Sequence, residues 1–164
     1  MSFITSFFGA SRLTAELEIR QARTEDAREI ADLHIAARRI SMPYLHEPFT
    51  EDETRAWFAR TVGDRSWAWW VAHHAGQIVG YMFLHKQYLD HLYVRSDWQG
   101  RGIGSLLLDK AKTLSPRRLE LSAFKRNTNA RSFYEARGFH IVGCTDGQNN
   151  EHEPDVQYVW NGEQ

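Results

Sequence analysis

Three features of this 164-residue sequence predict a mixed α/β fold of the α+β kind. The fold is a mostly antiparallel sheet of about six to seven strands with one central parallel pair, flanked by about four helices. First, Ser66–Val94 holds aromatic and β-branched runs broken by short turns, the pattern of consecutive antiparallel strands. Second, the next strand is reached only after a glycine-rich turn and an apolar helical face, so it returns parallel. Third, no repeat, low-complexity tract or Pro/Gly/Ser-rich linker offers a boundary for a second domain. Residues 17–164 therefore read as one domain, and residues 1–16, with Phe3, Phe7 and Phe8, as an N-terminal extension outside it.

The elements follow in order. Leu17–Ala22 alternates as a short strand, and Thr24 offers an N-cap with Glu25 and Asp26 in the first turn of a helix running to about Arg39. Pro43 and Pro48 end it, and Thr50 with Glu53 forms a capping box that opens a second helix carrying Trp57 and Phe58 inward. Ser66–His73 and Gln77–His85 form a hairpin across His74-Ala75-Gly76, and Tyr88–Val94 is the third strand of this block. Ile103, Leu106, Leu107, Ala111 and Leu114 share a helix face that Pro116 terminates, and Leu119–Phe124 returns to strand. Asn127 caps a last helix through Arg137, with Gly138 at its C′ position, and Phe139–Thr145 and Val156–Trp160 close the sheet.

Twenty basic and 21 acidic side chains leave a formal charge of −1, which excludes a protein that works mainly by gripping nucleic acid through its phosphates. One cysteine, Cys144, cannot form an internal disulfide, and no stretch of about 18 apolar residues could span a bilayer, so a reducing cytoplasm is expected. The eight histidines include no zinc-site spacing, so no metal is expected.

The chemically informative stretch is Leu92-Tyr93-Val94, then Gln99-Gly100-Arg101-Gly102-Ile103-Gly104-Ser105. A strand that runs through glycines into a helix leaves the first helical N–H groups free, and these together with the positive end of the dipole attract phosphate. Arg101 adds a mobile cation. A P-loop needs Gly-Lys-Ser/Thr where Gly104-Ser105-Leu106 stands, and a dinucleotide fingerprint needs its third glycine one residue later. Farther along lies Asn127-Thr128-Asn129-Ala130-Arg131-Ser132-Phe133-Tyr134, which ends in Gly138-Phe139. Gln-x-x-Gly-x-Gly after a Leu-Tyr-Val strand, followed by Asn-x-x-Ala-x-x-Phe-Tyr-x-x-x-Gly-Phe, resembles the two main motifs of the GNAT family, the GCN5-related N-acetyltransferases. The likeness extends to the order of elements over residues 17–161, with Ser96 standing where many members carry proline.

That resemblance implies a GNAT-like fold and an acetyl-CoA-dependent N-acetyltransferase in which an amine attacks the thioester directly. Leu92, Tyr93 and Val94 would lie beside the pantetheine arm, with one of their N–H groups polarising the thioester carbonyl. Gln99, Gly100, Arg101, Gly102, Ile103, Gly104 and Ser105 would hold the pyrophosphate, Asn127 the pantetheine, and Tyr134 would protonate the departing thiolate. For the base, the entering strand offers Asp90 and His91 and the neighbouring strand Glu120, and Asp90 and Glu120 are favoured because partial burial raises a carboxylate toward the useful range. The acceptor, a small-molecule or peptide amine, would enter near Tyr44, His46 and Glu47, with Trp70 and Tyr81 or Phe83 lining its pocket. No nucleic acid or membrane partner is implied, and a homodimer follows from the family likeness alone. Two other readings stay open: a non-catalytic acyl-CoA-binding module, and an acyltransferase with a longer donor.

Overall fold

The computed structural model describes residues 16–163. One seven-stranded sheet has the order β1-β2-β3-β4-β5-β7-β6. Its strands are β1 (Leu17–Gln21), β2 (Ala68–His74), β3 (Gln77–His85), β4 (Tyr88–Val94), β5 (Arg118–Phe124), β6 (His140–Thr145) and β7 (Asp155–Asn161). All neighbours are antiparallel except β4 and β5, the one parallel pair. Four helices, α1 (Ala27–Ser41), α2 (Glu51–Thr61), α3 (Ile103–Leu114) and α4 (Thr128–Glu135), cover it. The last helix stops before the sequence boundary at Arg137, because Gly138 turns the chain at φ +85°.

Side-chain alternation splits the interior into two cores. On one face Leu84, Leu89, Leu119 and Leu121 pack with Ile103, Leu107, Leu108 and Ala111 of α3 and Tyr134 of α4. On the other Trp69, Val71, Tyr81 and Phe83 pack with Ile30, Leu33 and Ala37 of α1 and Phe58 of α2. This second core is aromatic: the Trp69 and Phe83 rings stack at 4.3 Å and Trp57 and Phe58 meet edge-on at 5.1 Å.

The helix starts show which local chemistry wins. Thr50 Oγ1 accepts from the Glu53 N–H at 3.2 Å and Glu53 Oε2 accepts from the Thr50 N–H at 2.8 Å, the reciprocal capping box expected for α2. At the first helix the expected cap on Thr24 is replaced. Thr24–Asp26 forms a single tight turn, and Asp26 accepts from the Arg23 N–H at 2.7 Å while pairing with Arg20. A carboxylate held by both a backbone donor and a guanidinium outcompetes a lone hydroxyl.

Candidate active site

The site begins with a defect in β4. Phe83 pairs with His91 and Leu84 with Leu89, so Asp90 is an extra residue, a β-bulge. The bulge bends β4 away from β5, and the two parallel strands share a single partner pair, Tyr88 with Glu120. Toward their C-terminal ends they splay, which leaves Leu92–Val94 paired to β3 on one edge only.

Three cavities run in series through this splay. A cofactor-side cleft of about 340 Å³ is lined by Leu92–Val94, the glycine-rich turn and α4. A junction of about 260 Å³ shares Leu92, Tyr93, Asn127 and Tyr134 with the cleft and adds Asp90, His91 and Arg38. An outer cavity of about 720 Å³ shares Arg38, Asp90, His91 and Glu151 with the junction and reaches Glu47, Phe49, Glu53 and Trp57.

Of the expected cofactor contacts, Leu92, Tyr93, Val94, Gln99, Gly100, Gly102, Ile103, Gly104, Ser105, Asn127 and Tyr134 all line the cleft. Gly102 is the N-cap of α3 in the left-handed region at φ +82°, with nothing within 4 Å of an added Cβ, so its need for glycine is conformational. Gly104 differs, because a Cβ there would sit 3.4 Å from the Phe133 ring. Gln99 Nε2 reaches back toward Val94 O at 3.5 Å, closing the turn on the strand. Asn127 caps α4 by accepting from the Ala130 N–H at 3.2 Å. Tyr134 is 9% exposed and lines both cleft and junction, and burial pushes its phenol above the usual value.

Arg101 is not among the cleft-lining residues. It stacks on Trp98, which does line the cleft, at 4.5 Å and donates to Asp97 O. The cation in the cleft wall is Arg137, which no motif marks. It lies 3.8 Å over the Phe133 ring and donates to Phe133 O and to Ser105 Oγ in the first turn of α3.

The two favoured carboxylates separate. Asp90 opens into the junction and the outer cavity, yet the surrounding protein desolvates it enough to raise its pKa. Glu120 lies outside all three cavities, accepting from Gln87 Nε2 at 2.8 Å and pairing with Arg118, because it sits where the strands still touch, before the splay. The structure does not bring it to the cleft.

The expected acceptor loop contributes Glu47, Pro48 and Phe49 to the outer cavity, while Tyr44 packs under Arg126 and neither it nor His46 is a lining residue. Trp70 faces the other side of the sheet beneath Lys110, and Tyr81 and Phe83 are buried under the cavity floor. Exposed Cys144 lies on β6, away from the cavities. Among the described residues no cluster of three or more His, Cys, Asp or Glu could hold a metal, and no helix is long and apolar enough to cross a membrane.

The junction centres on a residue the sequence reading did not single out. Arg38 of α1, 7% exposed, donates from Nε to Glu47 at 3.0 Å and from NH2 to Glu151 at 2.9 Å, and NH1 reaches Tyr93 Oη at 3.4 Å. Burial alone would lower its pKa, but the Tyr93 oxygen and Glu47 raise it above the ordinary value, so it stays charged. Beside it, burial lowers both imidazoles: His34 falls well below its usual range and His91 to about 3, with Arg38 adding to the effect. Both rings are therefore neutral near pH 7.

Comparisons with known proteins bear on the family and the fold. The sequence profile described as an acetyltransferase (GNAT) domain matches residues 65–141. The chain is 31% identical over 133 residues to the peptidyl-lysine N-acetyltransferase YjaB of Salmonella typhimurium, covering 79% of this chain and 88% of that protein. Its fold is similar to the apo-form solution structure of YjaB from Escherichia coli, with a TM-score of 0.74 at 23% identity over 90% of this chain and 99% of that one. It is also similar to the PaiA N-acetyltransferase of Thermoplasma acidophilum in complex with coenzyme A, with a TM-score of 0.65 at 15% identity over 88% of this chain and 98% of that one.

Proposed function

The chain belongs to the GNAT family of N-acetyltransferases, and from that premise we propose that it transfers acetyl from acetyl-CoA directly to a primary aliphatic amine. The observation that carries this reading is the continuous series of cavities through the β4–β5 splay, with a phosphate-attracting helix start at one end and a carboxylate and an acidic, aromatic chamber at the other. The unpaired edge of Leu92–Val94 takes the pantetheine arm as an added strand, and a backbone N–H there polarises the thioester carbonyl. The first turn of α3 and Arg137 take the phosphates.

The amine arrives as an ammonium and gives one proton to Asp90, whose pKa burial raises above the usual carboxylate value, making it a better proton acceptor. A C–N bond then forms, the C–S bond breaks, and the nitrogen's second surplus proton balances the departing thiolate. Tyr134 faces that sulfur as a hydrogen-bond donor. Its phenol, raised by burial above a thiol's pKa of about 8.5, gives its proton to the sulfur only in concert with taking up the one the nitrogen sheds, so that no free tyrosinate is left.

One relative is named a peptidyl-lysine N-acetyltransferase, and a lysine ε-amine on its flexible stem suits a narrow junction opening from a wider chamber. We therefore place a peptide lysine ahead of free small amines as acceptor. The free thiol of Cys144 suits a cytoplasmic setting, direct attack of an amine on a thioester requires no metal, and a homodimer is carried over from the family likeness. The test is a thermal-shift and thiol-release screen: acetyl-CoA raises the melting temperature and lysine peptides release CoA. Absence of stabilisation by millimolar acetyl-CoA or CoA overturns the reading.

A further inference from the structure

The second core contains a polar chain that the proposed chemistry leaves unused. Tyr81 on β3 is fully buried, and its hydroxyl lies 2.7 Å from His34 Nδ1 on α1 and 3.2 Å from His91 Nδ1 on β4. Two imidazole nitrogens thus face one hydroxyl that has one proton to give. With both rings neutral, Tyr81 can donate to one ring only, and the other ring must donate to Tyr81. The shorter contact suits an O–H donor and the longer an N–H donor, which favours the arrangement in which Tyr81 donates to His34 and His91 donates to Tyr81. His91 then carries its proton on Nδ1, and its Nε2 is a bare lone pair.

We propose that Tyr81 and His34 lock His91 in this tautomer so that His91 Nε2 accepts a hydrogen bond from the acceptor amine and turns the amine's lone pair toward the thioester. The proposal rests on the acetyltransferase reading of the cavities. His91 lines both the junction and the outer cavity beside Asp90, its Nδ1 is occupied by Tyr81, and among the described residues nothing hydrogen-bonds its Nε2. Once Asp90 has taken a proton, the amine has two N–H groups and one lone pair. An N–H directed at His91 fixes the nitrogen and leaves the lone pair free. The opposite tautomer, with N–H at Nε2, would donate to that lone pair and occupy the electrons that must attack. No proton passes to His91. Burial among Trp57, Phe58 and Phe83, with the Arg38 charge close by, keeps the ring neutral.

The experiment is nitrogen-15 NMR of the imidazoles in the full-length free protein, joined to kinetics with acetyl-CoA and Nα-acetyl-lysine amide. The expected spectrum has His91 protonated on Nδ1 and His34 on Nε2, whereas His91 protonated on Nε2 overturns the proposal whether or not the protein turns over. Tyr81→Phe removes the lock, and is expected to raise the fraction of the other His91 tautomer and to lower kcat/KM for the amine about tenfold with acetyl-CoA affinity unchanged. Unchanged amine kinetics in both Tyr81→Phe and His91→Phe also overturn it. If the wild-type spectrum is as expected but acetyl-CoA neither binds nor is consumed, the acetyltransferase reading fails and this proposal falls with it, while the tautomer assignment stands.

Discussion

The guanidinium of Arg137 meets Ser105 Oγ at 2.8 Å through NH2 and at 3.1 Å through Nε, tying the residues after α4 to the first turn of α3. A fixed cation thus stands beside the free N–H groups of that turn. Arg137→Ala is expected to weaken CoA binding about tenfold, and Arg137→Lys to recover only part of it because an ammonium lacks the planar fork. Titration calorimetry with CoA checks this, and an unchanged Kd for Arg137→Ala removes the residue from phosphate handling.

The glycines of the turn separate by mechanism. Gly102→Ala forces a Cβ into the left-handed region and costs about 1 kcal/mol without a clash. Gly104→Ala is compatible with the helix but presses on Phe133, a wall of the cleft. Thermal denaturation with and without CoA distinguishes them: the first lowers the melting temperature of the free protein more, and the second loses more of the CoA-induced rise.

Burial raises the Asp90 carboxyl, so acetyl transfer should fall on the acid side as pH drops through that raised value. Asp90→Asn is expected to lower kcat about 10²-fold and to remove that acid limb. Glu120→Gln, outside the cavities, should leave rate and profile as in the wild type. Profiles of kcat/KM against pH for the three proteins decide the matter.

The two neutral imidazoles set an acid limit on stability. His34 and His91 bind protons readily when unfolded, near pH 6.5, but resist them when folded, His91 down to about 3. Below pH 6.5 the unfolded state therefore holds more protons, and stability falls as pH falls, by about 1.4 kcal/mol per pH unit for each histidine until the folded ring titrates. Asp26 acts in the same direction at lower pH. Burial alone would raise its pKa, but Arg20 and the Arg23 N–H lower it below 3.8, so its contribution is lost as pH drops from there. Denaturant midpoints between pH 7 and 4 should flatten in His91→Phe.

Arg38→Ala leaves half-exposed Glu47 and the more buried Glu151 without their shared cation and should cost about 1–3 kcal/mol, most of it at Glu151. Arg38→Met, which fills the volume, still strands two carboxylates and recovers little. Urea midpoints measure both variants.

Much of this was readable in advance, for identifiable reasons. Strand and helix periods are local, so β3, β4 and α3 fall where alternation and helical spacing put them. The glycine turn and the Asn127–Phe139 segment are contiguous motifs, and they line one cleft. What was hidden depends on register and on distance across the sheet. The Asp90 bulge exists only relative to β3, and it decides that Asp90 reaches the junction while Glu120 stays with Arg118. The motif marks Arg101 as the phosphate cation, and its stacking on Trp98, a residue of the cleft wall, depends on a contact that sequence does not show. Arg38 reads as an ordinary polar position on an amphipathic helix, and its burial follows from two loops that close over it.

Those two loops are far apart in the chain, Glu47 standing nine positions after Arg38 and Glu151 113 positions after it. They wall the outer cavity together, and a single guanidinium is their common fastening. On the proposed reading of the outer cavity as the acceptor chamber, acceptor preference is therefore not modular. A loop transplanted alone from a relative with different taste would carry the wrong number of charges to residue 38, and the mismatch would be buried. Changing what the enzyme acetylates requires exchanging both loops and the helix position between them as one unit.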